Sequence, residues 1–229
     1  MAAEHFCRSC HTPFLSEDNL NENNLCPACA DGSVNFDAVY AFGEYDGALR
    51  HLIHLFKYSK VESLAHPLSQ LLIRALPLDR SFDVISPMPM HWWKRWQRGF
   101  NQAELLAGPV AKRLGQKLST QLGRQRRTEA QAGLSEAQRN ANLKNSFCVK
   151  NPEAIRGKRI LLVDDVFTTG ATLRAATETL KANGASHVSA LVLARVDRRI
   201  SNTSLKPPPR PGVLNRSTAA DGGHFKTGG

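Results

Sequence analysis

Residues 161–173 read LLVDDVFTTGATL. The apolar run 160–163 is continuous rather than alternating, as expected of a strand buried on both faces. Asp164-Asp165 follow directly, then Thr168, Thr169, Gly170, Ala171 and Thr172. A helix is predicted over 171–182, with Gly184 as its cap. This order has a chemical logic. The end of a parallel strand opens into a ligand crevice. A helix N-terminus presents unpaired N–H groups that suit a phosphate, threonine hydroxyls add donors, and a glycine lets the backbone approach closely. Two carboxylates cannot bind a phosphate, but they can accept hydrogen bonds from sugar hydroxyls. Together these residues fit a sugar with a phosphate at one end.

Competing nucleotide motifs fail on residue type. The lysine of GxxxxGK(S/T) is absent, and GxGxxG does not occur here. A paired-aspartate receiver domain would carry its acids early in the chain.

Working outward, residues 36–45 read as extended. Leu49, Leu52, Ile53 and Phe56 fall at the i, i+3, i+4, i+7 spacing of an amphipathic helix. Leu64, Leu68, Leu71, Leu72 and Leu76 predict a second helix, stopped by Pro77. Asp83-Val84-Ile85 is a short strand ending at Ser86-Pro87-Met88-Pro89. Residues 102–114 read as helix, which Gly108-Pro109 should kink or split. Residues 187–194 form the next strand. Strands alternating with helices predict an α/β fold with a parallel sheet flanked by helices.

Hydrophobic residues make up 41% of the 229, enough for a core. No stretch approaches the roughly 18 apolar residues of a membrane span. The N-terminus MAAEHFCRSC has no apolar signal core, so a cytoplasmic location is expected. Net charge is +10, concentrated between positions 91 and 127, where nine Lys/Arg face one acid, Glu104. Such a surface attracts polyanions, or is simply a solvated basic face. Composition divides the chain into 1–33, 34–200 and a Pro/Gly/Ser-rich 201–229, expected to be a disordered tail.

Cys7-x2-Cys10 and Cys26-x2-Cys29, separated by 15 residues, have the spacing of a four-cysteine zinc ribbon. Four thiolates close the tetrahedron around Zn2+, leaving no open position, so the expected role is structural. Two disulfides are the competing reading, which a cytoplasmic chain disfavours; a redox CxxC would flank a βαβ unit. His5 and His11 are alternative ligands, and Cys148 reads as a lone core or edge thiol.

The segment VDDVFTTGAT is similar to the phosphoribosyl diphosphate (PRPP) loop of type I phosphoribosyltransferases. The wider pattern resembles their ComF family, which includes ComFC- and GntX-like proteins, over roughly residues 5–200. Its features are the cysteine ribbon, Tyr45-Asp46-Gly47 with Lys57, Pro87-Met88-Pro89, Arg98-Gly99-Phe100-Asn101-Gln102, then Arg127-Thr128, Gln131, Leu134, Arg139-Asn140 and Phe147. The resemblance implies a role in natural transformation or DNA utilisation, with imported single-stranded DNA and a competence helicase as partners. It also implies displacement of diphosphate from C1 of PRPP. Asp164 and Asp165 would hold the ribose, residues 168–172 the 5-phosphate, and Mg2+ the diphosphate. The loop carrying Pro87, Met88 and Pro89 would contact the diphosphate, with a strained or cis peptide such as Met88–Pro89. Lys57, Arg95 and Arg98 are candidate helpers. Where purine-salvage members carry an acid that serves the base, this chain has Thr168, as orotate-type members do. Three readings stay open: a phosphoribosyltransferase of unknown acceptor, a nucleotide-salvage enzyme, and a non-catalytic PRPP sensor that binds single-stranded DNA. For DNA, Trp92, Trp93 and Trp96 interleave with Lys94 and Arg95, so bases could stack while cations track phosphates; packing of the tryptophans against the core is the alternative. Arg124, Arg126 and Arg127 open a stretch expected to form a mobile loop and helix over the site, serving diphosphate or DNA.

Overall fold

The computed structural model describes residues 5–9, 13–14, 17–30, 34–59, 61–76, 79–90, 96, 99–124 and 146–196. Its framework is a five-stranded sheet of β3 (Ala38–Glu44), β4 (Val84–Pro87), β5 (Lys117–Leu118), β8 (Arg159–Phe167) and β9 (His187–Arg195). The spatial order is β3-β9-β8-β4-β5, and every pairing is parallel. Two small antiparallel pairs accompany it, β1 (His5–Phe6) with β2 (Pro13–Phe14), and β6 (Leu122–Arg124) with β7 (Phe147–Val149).

Helices cover both faces because β8 and β9 are apolar on both. On one face, Leu162, Ala190 and Val192 pack with Leu173, Ala176 and Leu180 of α5 (Ala171–Ala182). Cys7, just after β1, and Cys26, just before α1 (Pro27–Ala30), join this same core. On the other face, Leu161, Val163 and Leu191 meet Ile53 and Phe56 of α2 (Gly47–Tyr58). Leu68 and Leu72 of α3 (Ala65–Arg74) and Leu106 and Val110 of α4 (Gln102–Leu114) complete this layer. Each fully buried Leu or Ile contributes roughly 1.5–3 kcal/mol of burial. Among the described residues, no helix is long and apolar enough to cross a membrane.

Two local expectations are corrected. Gly108-Pro109 does not split its helix: α4 is continuous, with Pro109 inside it. The proline forfeits one helical hydrogen bond, at a cost of about 3 kcal/mol. Burial of Leu106, Ala107, Val110 and Ala111 on both sides of Gly108-Pro109 offsets it. The Asn101 side chain also accepts from the Ala103 amide at 3.1 Å, and left-handed Gly115 (φ 64°) ends the helix. Second, no peptide bond is cis among the described residues, so Met88–Pro89 is trans.

Candidate functional site

The strand does not stop before the acid pair. Pairing between β8 and β9 runs on through Asp164↔Val192, Val166↔Ala194 and Phe167↔Arg195. Because side chains alternate along an extended strand, adjacent aspartates point to opposite faces of the sheet. Asp164 shares the α5 face with Leu162. There it lines a small cleft of about 50 Å3, together with Met88, Phe167, Thr168, Gly170 and Thr172. Asp165 faces the α2 layer, where its Oδ1 lies 2.9 Å from Nζ of Lys57 in the last turn of α2. Those side chains are only 12% and 16% exposed. The two aspartates remain linked, since the Asp165 amide donates to Asp164 Oδ1 at 2.9 Å.

This arrangement makes Asp164 an unusual acid. Part of the residue opens into the cleft, but its carboxyl is desolvated and lies next to the Asp165 charge. Both effects raise its pKa, and they outweigh the Asp165 amide, Lys57 and Arg124; the result is about 7. Near neutral pH the group is therefore poised between hydrogen-bond donor and acceptor.

Beyond the strand, Gly170 adopts φ +75° and begins α5. A Cβ there would sit 3.0 Å from the Phe167 ring. That ring is itself fixed edge-on to Phe36 and covered by the Arg195 guanidinium. Glycine is thus required both by backbone hand and by space. The first turn of α5 presents amides that have no partner within the helix. Thr168 and Thr169 are exposed beside it, and Thr169 Oγ1 accepts weakly from the Ala171 amide at 3.4 Å.

Met88, just after β4, forms another wall. Met88 is buried, and its amide donates to Val163 O at 2.8 Å. Pro87 and Pro89 have no N–H, so none of these three residues has a backbone donor for a diphosphate. The loop is held by Asn101, whose Nδ2 donates to Met88 O at 3.2 Å while its Oδ1 caps α4. Asn101 is 3% exposed. Sequence reasoning quoted it within a motif and gave it no role; its place three residues after the basic, tryptophan-rich run 92–98 and just before a helix was the available signal.

Arg124, at the end of β6, lies over the Phe147 ring at 5.4 Å. Burial lowers its pKa, and the nearby Asp164 charge opposes that shift. The structure therefore brings Arg124 to the acid pair. Trp96 is 74% exposed. Trp92, Trp93, Lys94, Arg95, Arg98, Arg126, Arg127, Cys10 and residues 201–229 lie outside the described residues.

In the N-terminal segment, the sulfurs of Cys7, Cys26 and Cys29 lie within 4.8 Å of one another. The Cys26 amide donates to Cys7 Sγ at 3.3 Å, as a thiolate would accept. Around a tetrahedral Zn2+, ligand sulfurs sit about 3.8 Å apart. Three soft, clustered sulfurs with an amide already directed at one of them fit such an ion.

Residues 101–206 match the family model described as phosphoribosyl transferase domain. The chain is 34% identical over 177 residues to DNA utilization protein YhgH of Escherichia coli K12, covering 74% of this chain and 77% of the relative. It is 33% identical over 180 residues to Competence protein F of Haemophilus influenzae, covering 74% and 78%. It is 36% identical over 126 residues to Competence protein ComFC of Bacillus subtilis, covering 51% and 46%. With a parallel sheet, flanking helices and a phosphoribosyltransferase domain, the chain belongs to the ComF family.

Proposed function

We propose that this protein binds PRPP in the cleft at the end of β8 and acts in DNA uptake or utilisation, with single-stranded DNA as its partner. The observation that carries the ligand reading is the meeting of Asp164 with the start of α5 after Gly170 in one cleft. Ribose hydroxyls would donate to Asp164 and, across the strand end, to Asp165. The 5-phosphate would take the first amides of α5 and the hydroxyls of Thr168, Thr169 and Thr172. Mg2+ bound with PRPP would neutralise diphosphate charge. After Lys57, Arg124 is the described cation that acts on Asp164, and it suits the same diphosphate. Lys57 is committed to Asp165, so its role is to orient that carboxylate rather than to meet the diphosphate. Cys7, Cys26 and Cys29, with Cys10, would hold a structural Zn2+. The DNA role comes from the relatives' names, and a competence helicase and a cytoplasmic setting from the family likeness.

If an acceptor is present, the cleft supports displacement of diphosphate from C1. A sensor reading, without turnover, is favoured by one observation: Pro87, Met88 and Pro89 offer no N–H to a leaving diphosphate. A salvage role has less support, because Thr168 stands where purine-salvage members carry an acid. Diphosphate release from Mg2+–PRPP, measured with and without single-stranded DNA, separates these readings. DNA-dependent release lost in Asp164→Ala supports a transferase. Binding without release supports the sensor. Neither binding nor release rejects the site.

A further inference from the structure

The start of α5 has no side-chain cap. Gly170 precedes the helix with no side-chain hydrogen bond, and the 3.4 Å contact of the Ala171 amide to Thr169 Oγ1 is weak. That leaves the first amides open to a ligand, so something else must fix where they stand. Three consecutive residues ahead of β3 reach this helix. The Asn35 side chain donates from Nδ2 to Arg174 O, in the first turn of α5, at 3.1 Å. Phe36, 4% exposed, meets the Phe167 ring edge-on with centroids 5.9 Å apart. Phe167 ends β8, and its ring lies 3.0 Å from where a Gly170 Cβ would stand; the Phe36 ring is 3.8 Å from the same point. Asp37 pairs with Lys181 in the last turn at 3.1 Å and accepts from the Val188 amide of β9 at 2.7 Å. Both ends of α5 are thereby tied to one short segment. Phe36 in turn shares its core with Cys7 and Cys26. Asn35, Phe36 and Asp37 all lie outside the cleft lining.

We infer that Asn35 and Phe36 are positioning residues for the 5-phosphate, acting on the turn 168–172 through Arg174, Phe167 and Gly170 without touching the ligand. With Phe36 in place, the Phe167 ring sits between it and the Arg195 guanidinium, and Gly170 backs onto that ring. A smaller side chain at position 36 lets the ring shift, and the turn follows it. Amides and hydroxyls that converge on one phosphate lose strength steeply when they are displaced or tilted. The inference rests on the proposed function for the identity of the ligand.

The test combines calorimetric titration of Mg2+–PRPP and of ribose 5-phosphate with hydrogen exchange of the ligand-free full chain. Phe36→Leu should weaken both ligands by the same factor, roughly 10- to 100-fold, the loss of about one charge-assisted hydrogen bond to the shared 5-phosphate. It should also speed exchange of the amides of 169–174. Asn35→Ala, a milder change, should act in the same direction by roughly 2- to 10-fold. Should Phe36→Leu melt below the titration temperature, Asn35→Ala decides alone. Leu72→Ala, in α3 on the other face of the sheet, should lower the melting temperature at least as far as Phe36→Leu and leave both affinities unchanged. Unchanged affinities or unchanged exchange in the strap variants, a fall for PRPP alone, or an equal fall in Leu72→Ala overturns the positioning role while leaving the ligand in place. A wild type that binds neither ligand overturns the ligand and the positioning role together.

Discussion

Asp83 and Asp164 lie at or near opposite ends of neighbouring strands and titrate in opposite directions. Asp83 accepts from the Arg159 side chain and backbone amide, which hold its carboxyl down at about 2. Asp164 has lost water and feels the charge of Asp165 across the strand, which raises it to about 7. A raised carboxyl costs the folded state nothing while both folded and unfolded forms are protonated. The cost grows as pH climbs from the ordinary carboxylate range through about 7, and it is complete above that. Asp164→Asn should therefore stabilise the ligand-free protein by about 1–3 kcal/mol near pH 8, with the gain fading toward pH 4. Arg124, left facing an amide, moves the gain toward the lower end. Urea denaturation at the two pH values checks this; an equal effect at both would contradict the burial argument. At this scale the sequence named residues that the fold brings to one cleft and was silent about their states. The Asp pair, the threonines and Gly170 were legible because their order is chemically specific. The opposite facing of the two carboxylates was not, because it depends on β8 staying paired past Val163.

At the scale of elements, the long periodic segments were readable. The helix expected over 171–182 is α5, and the leucine spacings correspond to α2 and α3. β5, β6 and β7 were not readable, because strands of two or three residues carry no period. Pro109 misled for a related reason: propensity is local, whereas the burial that keeps α4 continuous is tertiary. The clustering of Cys7, Cys26 and Cys29 was legible from spacing alone, since CxxC pairs on tight turns leave a regular trace. Its consequence was not legible: Cys7 and Cys26 pack into the same core as Val39 and Leu173. Chelation should thus affect more than the N-terminus. Removing metal with a strong chelator should lower the melting temperature of the whole chain, and Zn2+ but not Mg2+ should restore it. Metal analysis that finds no zinc in chelator-free preparations, or a melting transition indifferent to chelation, would contradict the ribbon.

For the whole molecule, the sheet order β3-β9-β8-β4-β5 explains why one strand carries both roles. β8 is central, so its apolar residues face helices on both sides, and its C-terminal end opens between two layers. Asp164 is available to a cleft on the α5 side, while Asp165 ties to α2 on the other. Nothing in the sequence joins Lys57 to Asp165, or Asn101 to Met88; both contacts exist only once α2 and α4 have packed on the same sheet face. This two-sided strand end is the central claim, and PRPP binding is its most direct consequence. Calorimetric titration of Mg2+–PRPP into the full chain should show a saturable site, competed by ribose 5-phosphate and weakened roughly 10- to 100-fold by Asp164→Ala. Absence of binding, or an affinity indifferent to Asp164→Ala, would contradict it.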